Sequence, residues 1–483
     1  MAPTRTTPGF SLRSSRPTSR RLFSRPRAQI ATTGVAVLLL AACGGGDDDG
    51  GGSDGDSITF WTPHSTPQRM AGQEAAAEAF TEETGIEVEV VGLAAEDQNQ
   101  SLVTGAASGD VPDVILTAPD QVANWNQQGL LDGEAAQQVV DNLDPATFSE
   151  SALDLVTVDD QLLAAPSDGW GQLFYYRTDL FEEAGLSEPQ TLEDLASAAE
   201  ELNTDGRAGI VLGTQPGDPF TNQTLESLLV GNGCQLIDDA GEIALEEPAC
   251  IQGLELYQRL AEASVSGGQD VESTRAAYLA GDAAIVNWGA HLLDEIAGLD
   301  ENFPVSCEEC ADNPQYLAEN TGVVSALAPP EGKPAGYGLT LSYSIPRGSN
   351  TEGAVQFAEY MLSEGYLESL DVAAEGRVPM RAGTPDSPTE YADAWADLEL
   401  GAEQESGTAI SEVYDEQTIQ TLVDGANTFE RWGFGTEHAG LAGALYSQNT
   451  LVQDIGPLFD GADPAQVAAT MAEAAEAVQQ DLN

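Results

Sequence analysis

The stretch SITFWTPHSTPQRMAGQEAAAEAFTEETGIEVEVV, residues 57–91, contains the pattern that decides the fold class. Residues 57–61 form a short β-prone run. Residues 67–84 have helical periodicity, and Gly85 is suited to end the helix. Residues 86–91 begin with strict apolar–polar alternation. Together they predict a strand, a helix and a second strand. A helix that connects two consecutive strands is typical of an α/β fold with a parallel sheet.

The same order of elements continues downstream. Residues 99–108 and 122–128 are predicted helices, and the apolar run 114–116 between them is a predicted buried strand. The rhythm then breaks, because 164–171 is rich in turn formers and precedes the β-prone run 173–176. We expect the chain to cross between two lobes in this segment.

The chain is strongly acidic. It has 483 residues with 80 acidic and 17 basic side chains, which gives a formal net charge of −63. The first 42 residues carry seven arginines and no acid, so the remainder has a net charge of −70. Such a polyanion is unsuited to nucleic acid or to anionic lipid headgroups. The only lysine, Lys333, lies outside any GxxxxGK[ST] pattern, which excludes a P-loop.

The hydrophobic fraction of 41% is sufficient for a substantial core, and the length suggests two or three domains. At this net charge, self-repulsion destabilises the compact state unless salt screens it. We therefore interpret the acidity as adaptation to high salt. The alternative, an acidic disordered chain, fits the apolar content and the periodicity less well.

The N-terminus predicts export and lipid anchoring. Residues 1–27 are basic, and the 13 apolar residues 30–42 are too few to span a bilayer, as is typical of an export signal, which we assign to residues 1–42. The sequence LAAC ending at Cys43 resembles a bacterial lipobox, which predicts attachment to the outer face of the cytoplasmic membrane. Residues 43–57 then form a flexible tether. SRRLF at 19–23 also resembles the twin-arginine export motif, so Sec and twin-arginine export both stay open.

Four further cysteines follow Cys43, namely Cys234, Cys250, Cys307 and Cys310. An even number outside the cytoplasm favours disulfides, and pairing between sequence neighbours is favoured among three connectivities. The CxxC pair at residues 307–310 would alternatively be half of a zinc site, but the sequence offers no second ligand pair. We expect no metal and no cofactor.

From residue 58 onward the chain resembles the extracellular solute-binding proteins of ABC importers, in the branch that includes maltose-binding protein. The resemblance rests on ITFW at 58–61, FTEETGIEV at 80–88, SGDVPDV at 108–114, GLLD at 129–132, YYRTDLF at 175–181, GDAAI at 281–285 and EGRVP at 375–379. It implies two α/β lobes, joined by a hinge, that close over a solute and deliver it to a permease. It also implies a monomer.

This resemblance, combined with the predicted elements, gives the expected lobe boundaries. Residues 58–168 and 326–376 form the first lobe, and residues 169–325 and 377–483 form the second lobe. The resemblance further implies a carbohydrate as the solute. Within the class of binding proteins, a polyamine, a metal chelate or an oligopeptide stays open.

Three tryptophans are candidates for stacking on a sugar ring, because aromatic faces pack against C–H-rich rings. Trp288 follows a predicted strand where the resemblance implies a stacking tryptophan, Trp432 lies in a region with another, and Trp170 lies in the expected lobe crossing. For each of them, a place in the core is an equally good interpretation.

The polar candidates follow predicted strands, where α/β sheets bind ligands. They are His64, Asp120 and Asp218, with Phe220 beside Asp218. The two aspartates are also suited to cap the helices that follow them. Arg377 is expected either to contact the solute or to pair with an acid.

A secreted acidic hydrolase is the competing class of function. The three histidines of the chain show no HExxH spacing, and no GxSxG elbow occurs. Paired carboxylates are too numerous for the sequence to assign or exclude. We therefore predict a binding protein rather than an enzyme.

If the acidity reflects a saline habitat, folding stability depends on salt, because counterions screen the repulsion of the net −70 part of the chain. We expect a higher melting temperature in molar sodium chloride or potassium chloride than in dilute buffer. Thermal unfolding followed by circular dichroism measures this. A melting temperature that neither salt changes would contradict the interpretation.

Overall fold

The long strand β6, Ala165–Arg177, takes part in both halves of the molecule and organises the sheet around it. The structure is a computed structural model that describes residues 57–238, 240–401 and 407–482. The predicted export signal, and the tether up to residue 56, lie outside these residues.

The described residues form the following elements. The strands are β1 Ser57–Thr62, β2 Glu87–Gly92, β3 Val114–Thr117, β4 Thr157–Val158, β5 Gln161–Leu162, β6, β7 Ile285–Gly289, β8 Thr321–Val324, β9 Gly336–Ser344, β10 Val378–Pro379, β11 Glu399–Leu400, β12 Thr408–Ala409 and β13 Phe429–Glu430. The helices are α1 Pro67–Thr84, α2 Ala95–Ser108, α3 Pro119–Gln127, α4 Gly133–Leu143, α5 Glu150–Leu155, α6 Thr178–Ala184, α7 Leu192–Leu202, α8 Pro219–Gly231, α9 Pro248–Glu262, α10 Val271–Leu279, α11 Leu292–Ile296, α12 Tyr316–Glu319, α13 Thr351–Met361, α14 Tyr366–Leu370, α15 Glu390–Trp395, α16 Ile410–Val413, α17 Glu416–Gly425, α18 Ala439–Ser447, α19 Gly456–Phe459 and α20 Pro464–Leu482. Short 3-10 helices lie at Pro145–Thr147, Glu309–Ala311, Asp371–Gly376, Ala426–Thr428 and Thr450–Val452.

The first lobe contains the parallel strands that the sequence predicts. Its strand order is β2-β1-β3-β9-β6, with β1 parallel to both β2 and β3, and β9 antiparallel to β3 and β6. Helix α1 begins at Pro67 after the N-cap Thr66 and ends where Gly85 adopts a φ of 78°, a conformation that favours glycine. The crossover helix and the parallel register of residues 57–91 are therefore confirmed.

The second half of β6 carries the sheet of the second lobe. From Gln172 onward, β6 pairs antiparallel with β7 on one edge and with β8 on the other. Residues 210 and 211 form only isolated bridges, Ile210 to Ser264 and Val211 to Val286. The two sheets thus share one continuous strand, β6.

The segment 164–171, although rich in turn formers, lies almost entirely in strand β6. From residue 165 the segment is extended, because β9 and β10 hydrogen-bond to its two edges. Its glycines allow β6 to pack closely against the neighbouring strands. A Cβ on Gly169 would lie 2.7 Å from the carbonyl oxygen of Leu339, and one on Gly171 would lie 3.2 Å from the ring of Phe429. Composition alone does not separate this use of glycine from a turn.

Two hydrophobic cores flank the strands. The first contains Phe60, whose ring lies 5.2 Å from that of Phe357, and the second contains Leu228 and Met471. The C-terminal segment contributes to both, because Trp395 packs in the first core and α20 in the second.

The structure contains two disulfides. Cys234 bonds to Cys250 and Cys307 bonds to Cys310, so the cysteines of the CxxC pair are joined to each other. No group of three or more His, Cys, Asp or Glu side chains suited to a metal ion occurs among the described residues. Within the same residues, no helix is both long enough and apolar enough to span a membrane.

Candidate functional site

The candidate site lies where strand ends from the two lobes meet. His64 follows the carboxyl end of β1 in the first lobe. Strand β7 runs antiparallel to β6, so its carboxyl end points back toward the lobe crossing and is followed by His291. Carboxyl ends of strands are the usual ligand-binding edges of α/β sheets.

Trp170 on β6 provides the aromatic surface of this site. Its ring is half-buried and lies 5.7 Å from the ring of His291, edge-on, at an interplanar angle of 72°. On another side it lies 6.1 Å from the ring of Tyr337. Gly289 lies against the indole as well, since a Cβ there would be in ordinary van der Waals contact with it at 3.4 Å.

Two buried polar groups among the candidate residues have atoms without hydrogen-bond partners. Among the described residues, none reaches Nε2 of His64, a residue that is 8% exposed, or Oε1 of Gln172, which is 1% exposed. Gln172 lies two positions after Trp170 on β6, so the two side chains lie on the same face of that strand. Buried polar groups are normally hydrogen-bonded, so these two atoms mark where a polar molecule would be stabilised.

Both histidines are held in the neutral form. Burial, followed by the charge of Arg377 and then that of Arg69, lowers the pKa of His64 well below its usual value. Burial and Arg69 lower the pKa of His291 to about 4, against a smaller opposing effect of Asp168. A neutral imidazole offers one donor and one acceptor, which suits hydroxyl groups.

Behind Trp170, an arginine supports a cluster of aromatic rings. The guanidinium carbon of Arg431 lies 4.3 Å from the ring centre of Tyr337 and 4.8 Å from that of Tyr446. The same guanidinium donates to both carboxylate oxygens of Glu226 on α8, at 2.8 and 3.2 Å. The hydroxyls of Tyr337 and Tyr446 lie 3.1 Å apart. Arg431 thus ties α8 to the start of β9 and to α18.

Asp120 lies in the first turn of α3 and is partly buried. Desolvation raises the pKa of its carboxyl, and the charge of Arg431 acts in the opposite direction. Asp120 therefore lies near the arginine-supported rings, on the side of the first lobe.

Of the candidates in the second lobe, Trp288 and Trp432 are buried. The indole N–H of Trp288 donates to the carbonyl of Val271 at 3.2 Å. The indole N–H of Trp432 donates to the carbonyl of Cys234 at 2.8 Å. Both indole nitrogens are therefore already engaged by backbone.

Asp218 and Phe220 also have structural contacts. Asp218 caps α8, since its Oδ1 accepts from the backbone N–H of Phe220 at 3.0 Å and of Thr221 at 3.4 Å. The ring of Phe220 is buried 6.3 Å from that of Trp288. The structure thus places Trp170 beside His291, and Phe220 beside Trp288.

Arg377 pairs with an acid, the second of the two roles that the sequence left open. Its Nε and Nη2 donate to Oδ2 and Oδ1 of Asp168 at 3.0 and 2.7 Å, and Nη1 donates to the carbonyl of Ser369. Both side chains are almost completely buried. Asp168 lies on β6, and Arg377 immediately precedes β10, so the pair joins the two strands beside the lobe crossing.

A family model described as bacterial extracellular solute-binding protein matches residues 64–368. The chain belongs to this family. Membership agrees with the prediction of a binding protein, and it places the chain among proteins that act outside the cytoplasm.

Two curated relatives and one solved structure illustrate the similarity. A putative ABC transporter periplasmic-binding protein, YcjN, of Escherichia coli K12 is 26% identical over 313 residues, which cover 63% of this chain and 68% of that protein. A maltooligosaccharide ABC transporter solute-binding lipoprotein of Streptococcus pneumoniae is 27% identical over 209 residues, which cover 41% of this chain and only 46% of the relative. The cyclic α-maltosyl-1,6-maltose binding protein from Arthrobacter globiformis has 16% identity and a TM-score of 0.65, with 88% of this chain and 99% of that one covered. The last comparison establishes the two-lobed fold.

The sequence analysis missed His291, Gln172 and Tyr337. His291 could have been selected from the sequence, because the rule that selected His64 applies equally to a polar residue that follows β7. Gln172 could not have been selected from the sequence. Its role depends on Oε1 having no hydrogen-bond partner among the described residues, which only the structure shows. Tyr337 depends on the approach of β9 to β6, which is a long-range contact.

Proposed function

We propose that this protein captures a carbohydrate between its lobes and delivers it to an ABC permease. The observation that carries the proposal is the combination of the half-buried Trp170 ring with the unpartnered polar atoms of His64 and Gln172. A sugar presents C–H-rich faces and hydroxyl groups, and this combination suits both. The names of the two sugar-binding relatives support the same class of solute.

The charges around the site favour an uncharged solute over a polyamine. The two histidines are neutral in the range where the protein would act. Two buried carboxylates of this region, Asp168 and Glu226, are each engaged by an arginine through two hydrogen bonds. A cationic ligand would have to compete with a guanidinium for each of them.

In this proposal Trp170 stacks against a sugar ring, while His64, His291 and Gln172 bond to its hydroxyls. Asp120 is a further candidate, since its carboxyl is partly exposed near the aromatic rings. Trp288, Trp432, Phe220 and Asp218 stay candidates that would reach the solute only if the second lobe rearranged. Binding must favour the closed arrangement of the lobes, because a ligand with equal affinity for both arrangements shifts nothing.

We further propose that the mature protein begins at Cys43, carries a lipid there and acts as a monomer at the outer face of the cytoplasmic membrane. The LAAC motif and the glycine–aspartate tether support this, as does the lipoprotein relative. The export signal would be removed, and high salt would be the working environment.

Calorimetric titration with glucose, maltose, maltotriose and lactose in molar salt tests the solute class. We expect at least one of these sugars to bind to the wild type. Trp170→Ala should weaken that binding by about 1–3 kcal/mol, the scale of burying an aromatic face, which is roughly 5- to 150-fold.

Trp288→Ala, measured in parallel, tests whether Trp288 rather than Trp170 stacks against the sugar ring. If Trp288 is a core residue, the variant loses about 3–5 kcal/mol of folding stability and keeps its affinity. Trp125→Phe in α3 serves as a control for altered tryptophan content. Absence of sugar binding by the wild type would refute the carbohydrate class. Full affinity of Trp170→Ala would refute the proposed stacking of a sugar ring on Trp170.

Lipid anchoring is tested by expressing the full chain in a bacterial host. Cys43 should be the first residue of the mature protein, with a lipid mass on its peptide in mass spectrometry. Cys43→Ser should abolish that mass and release the protein from the membrane fraction. Unchanged membrane retention of the variant would exclude the anchor.

A further inference from the structure

One part of the surface is built from uncharged segments, in a chain whose formal net charge is −63. Charged residues make up 20% of the sequence, yet residues 121–131, 208–217, 263–269 and 439–453 contain no Asp, Glu, Lys or Arg. The four segments are far apart in sequence. Contacts between them join them into one continuous region of the structure.

The first contact joins α3 to α18. Gly440 on α18 lies against the side chain of Gln127 on α3, where any Cβ would overlap Nε2. Gly443, about one turn further along, faces the backbone of Asp120, and a Cβ there would lie 3.6 Å from the carbonyl oxygen. Residues three, four and seven positions apart share a face of a helix, so the exposed Ser447 lies on the same face of α18 as both glycines. The uncharged region therefore continues from α3 along α18.

Two further contacts extend the region into the loops of the second lobe. The backbone N–H of Gly217 donates to the carbonyl of Val452 at 2.8 Å, and a Cβ on Gly217 would lie 3.2 Å from Oε1 of Gln453. The backbone N–H of Gln215 in turn donates to the carbonyl of Gln269 at 3.0 Å. The segments 208–217 and 263–269 are thus connected to the end of α18.

The exposed side chains of these segments are amides and hydroxyls, and we call them the neutral surface. The neutral surface comprises Gln127, Gln128, Ser447, Gln448, Gln215 and Ser266. Such groups can be covered by a partner at lower cost than a charge, because a desolvated charge needs a counter-charge. The core of a protein–protein interface is typically depleted of charged residues. The composition of the neutral surface therefore suits contact with another protein.

A cavity of about 470 Å³ lies at the second-lobe end of the neutral surface. The two loops at this end line it, together with the half-buried side chains of Val265 and Phe459. Glu262 and Asp460 are also part of the lining. Apolar walls beside carboxylates suit a lysine or arginine, whose stem packs on apolar surface while its charged head bonds to the acids.

A permease fits the neutral surface better than a second copy of this chain does. Pairing of two copies would bring two strongly negative chains together, which like charge opposes. A protein that receives a solute from between the lobes has to contact both of them. The neutral surface has parts in both, because α3 contributes Trp125 to the first core and α18 contributes Leu441 to the second.

We propose that the neutral surface is the docking surface for the extracytoplasmic side of the permease, and that one basic side chain of the permease enters the adjoining cavity. The inference rests on the proposed function, since a permease is the partner only of a protein that delivers a solute. The partner's contact region carries uncharged polar side chains around this one cation.

Surface plasmon resonance tests the proposal, with the permease that this protein serves held in nanodiscs and the purified protein as analyte in molar sodium chloride. Gln215→Glu and Gln448→Glu each place an uncompensated charge in the interface and should weaken binding by at least about tenfold. Glu262→Gln combined with Asp460→Asn should weaken it by about three- to tenfold. Gln138→Glu, the same change at an exposed position of α4, should bind like the wild type. Sugar affinity and melting temperature should be unchanged in every variant.

Each contrary outcome has a distinct meaning. If Gln215→Glu and Gln448→Glu bind the permease like the wild type, or no more weakly than Gln138→Glu, the docking surface is overturned while delivery of the solute stands. A wild type that does not bind the permease would refute delivery, and the docking surface with it. A wild-type dimer in light scattering that the first two variants convert to a monomer would assign the neutral surface to self-association and overturn the proposal.

Discussion

The buried ion pair between Arg377 and Asp168 is the interaction on which the rest of the structure depends. It joins β10 to β6 at the point where β6 leaves the first lobe. Beside it, Tyr366 donates its hydroxyl to the carbonyl of Ser167, and the backbone N–H of Met380 donates to the same oxygen at 2.9 Å. This network fixes the start of the crossing strand, and Trp170 and Gln172 follow within four residues.

Ion pairs of this kind explain how so acidic a chain retains a neutral binding site. After the predicted signal, only nine arginines and one lysine are present. Five arginines are buried, namely Arg177, Arg275, Arg377, Arg381 and Arg431. Four of these pair with carboxylates, and the acids that they neutralise include Asp168 beside the lobe crossing. Burial, and then the positive charges of Arg377 and Arg69, lower the pKa of His64 and keep its imidazole neutral.

The parts of the fold that could be predicted from the sequence are those that local sequence patterns determine. Residues 57–117 were assigned correctly because strand alternation, helix periodicity and Gly85 all act within a few residues. The turn-like composition of 164–171 does not reveal the strand that the segment forms. Glycine supports either a turn or a tight strand contact, and only the approach of β9 distinguishes the two.

The site was harder to predict than the fold. His64 and Trp170 came from strand ends and from the expected hinge, and the structure brings both next to His291. Arg377 had two possible roles, and its partner Asp168 is 209 residues away in sequence. The contacts that separate a ligand-binding residue from a structural one are long-range contacts, which a single sequence does not encode locally.

A double-mutant cycle on Asp168 and Arg377 tests the central claim most directly. Free energies of unfolding in molar salt would be measured for Asp168→Leu, Arg377→Met and the double variant. If the pair organises the crossing strand, each single variant loses about 3–5 kcal/mol because it leaves one buried charge unpaired, and the double variant recovers most of that loss. Single variants that lose under about 1 kcal/mol, or losses that simply add in the double variant, would contradict the account.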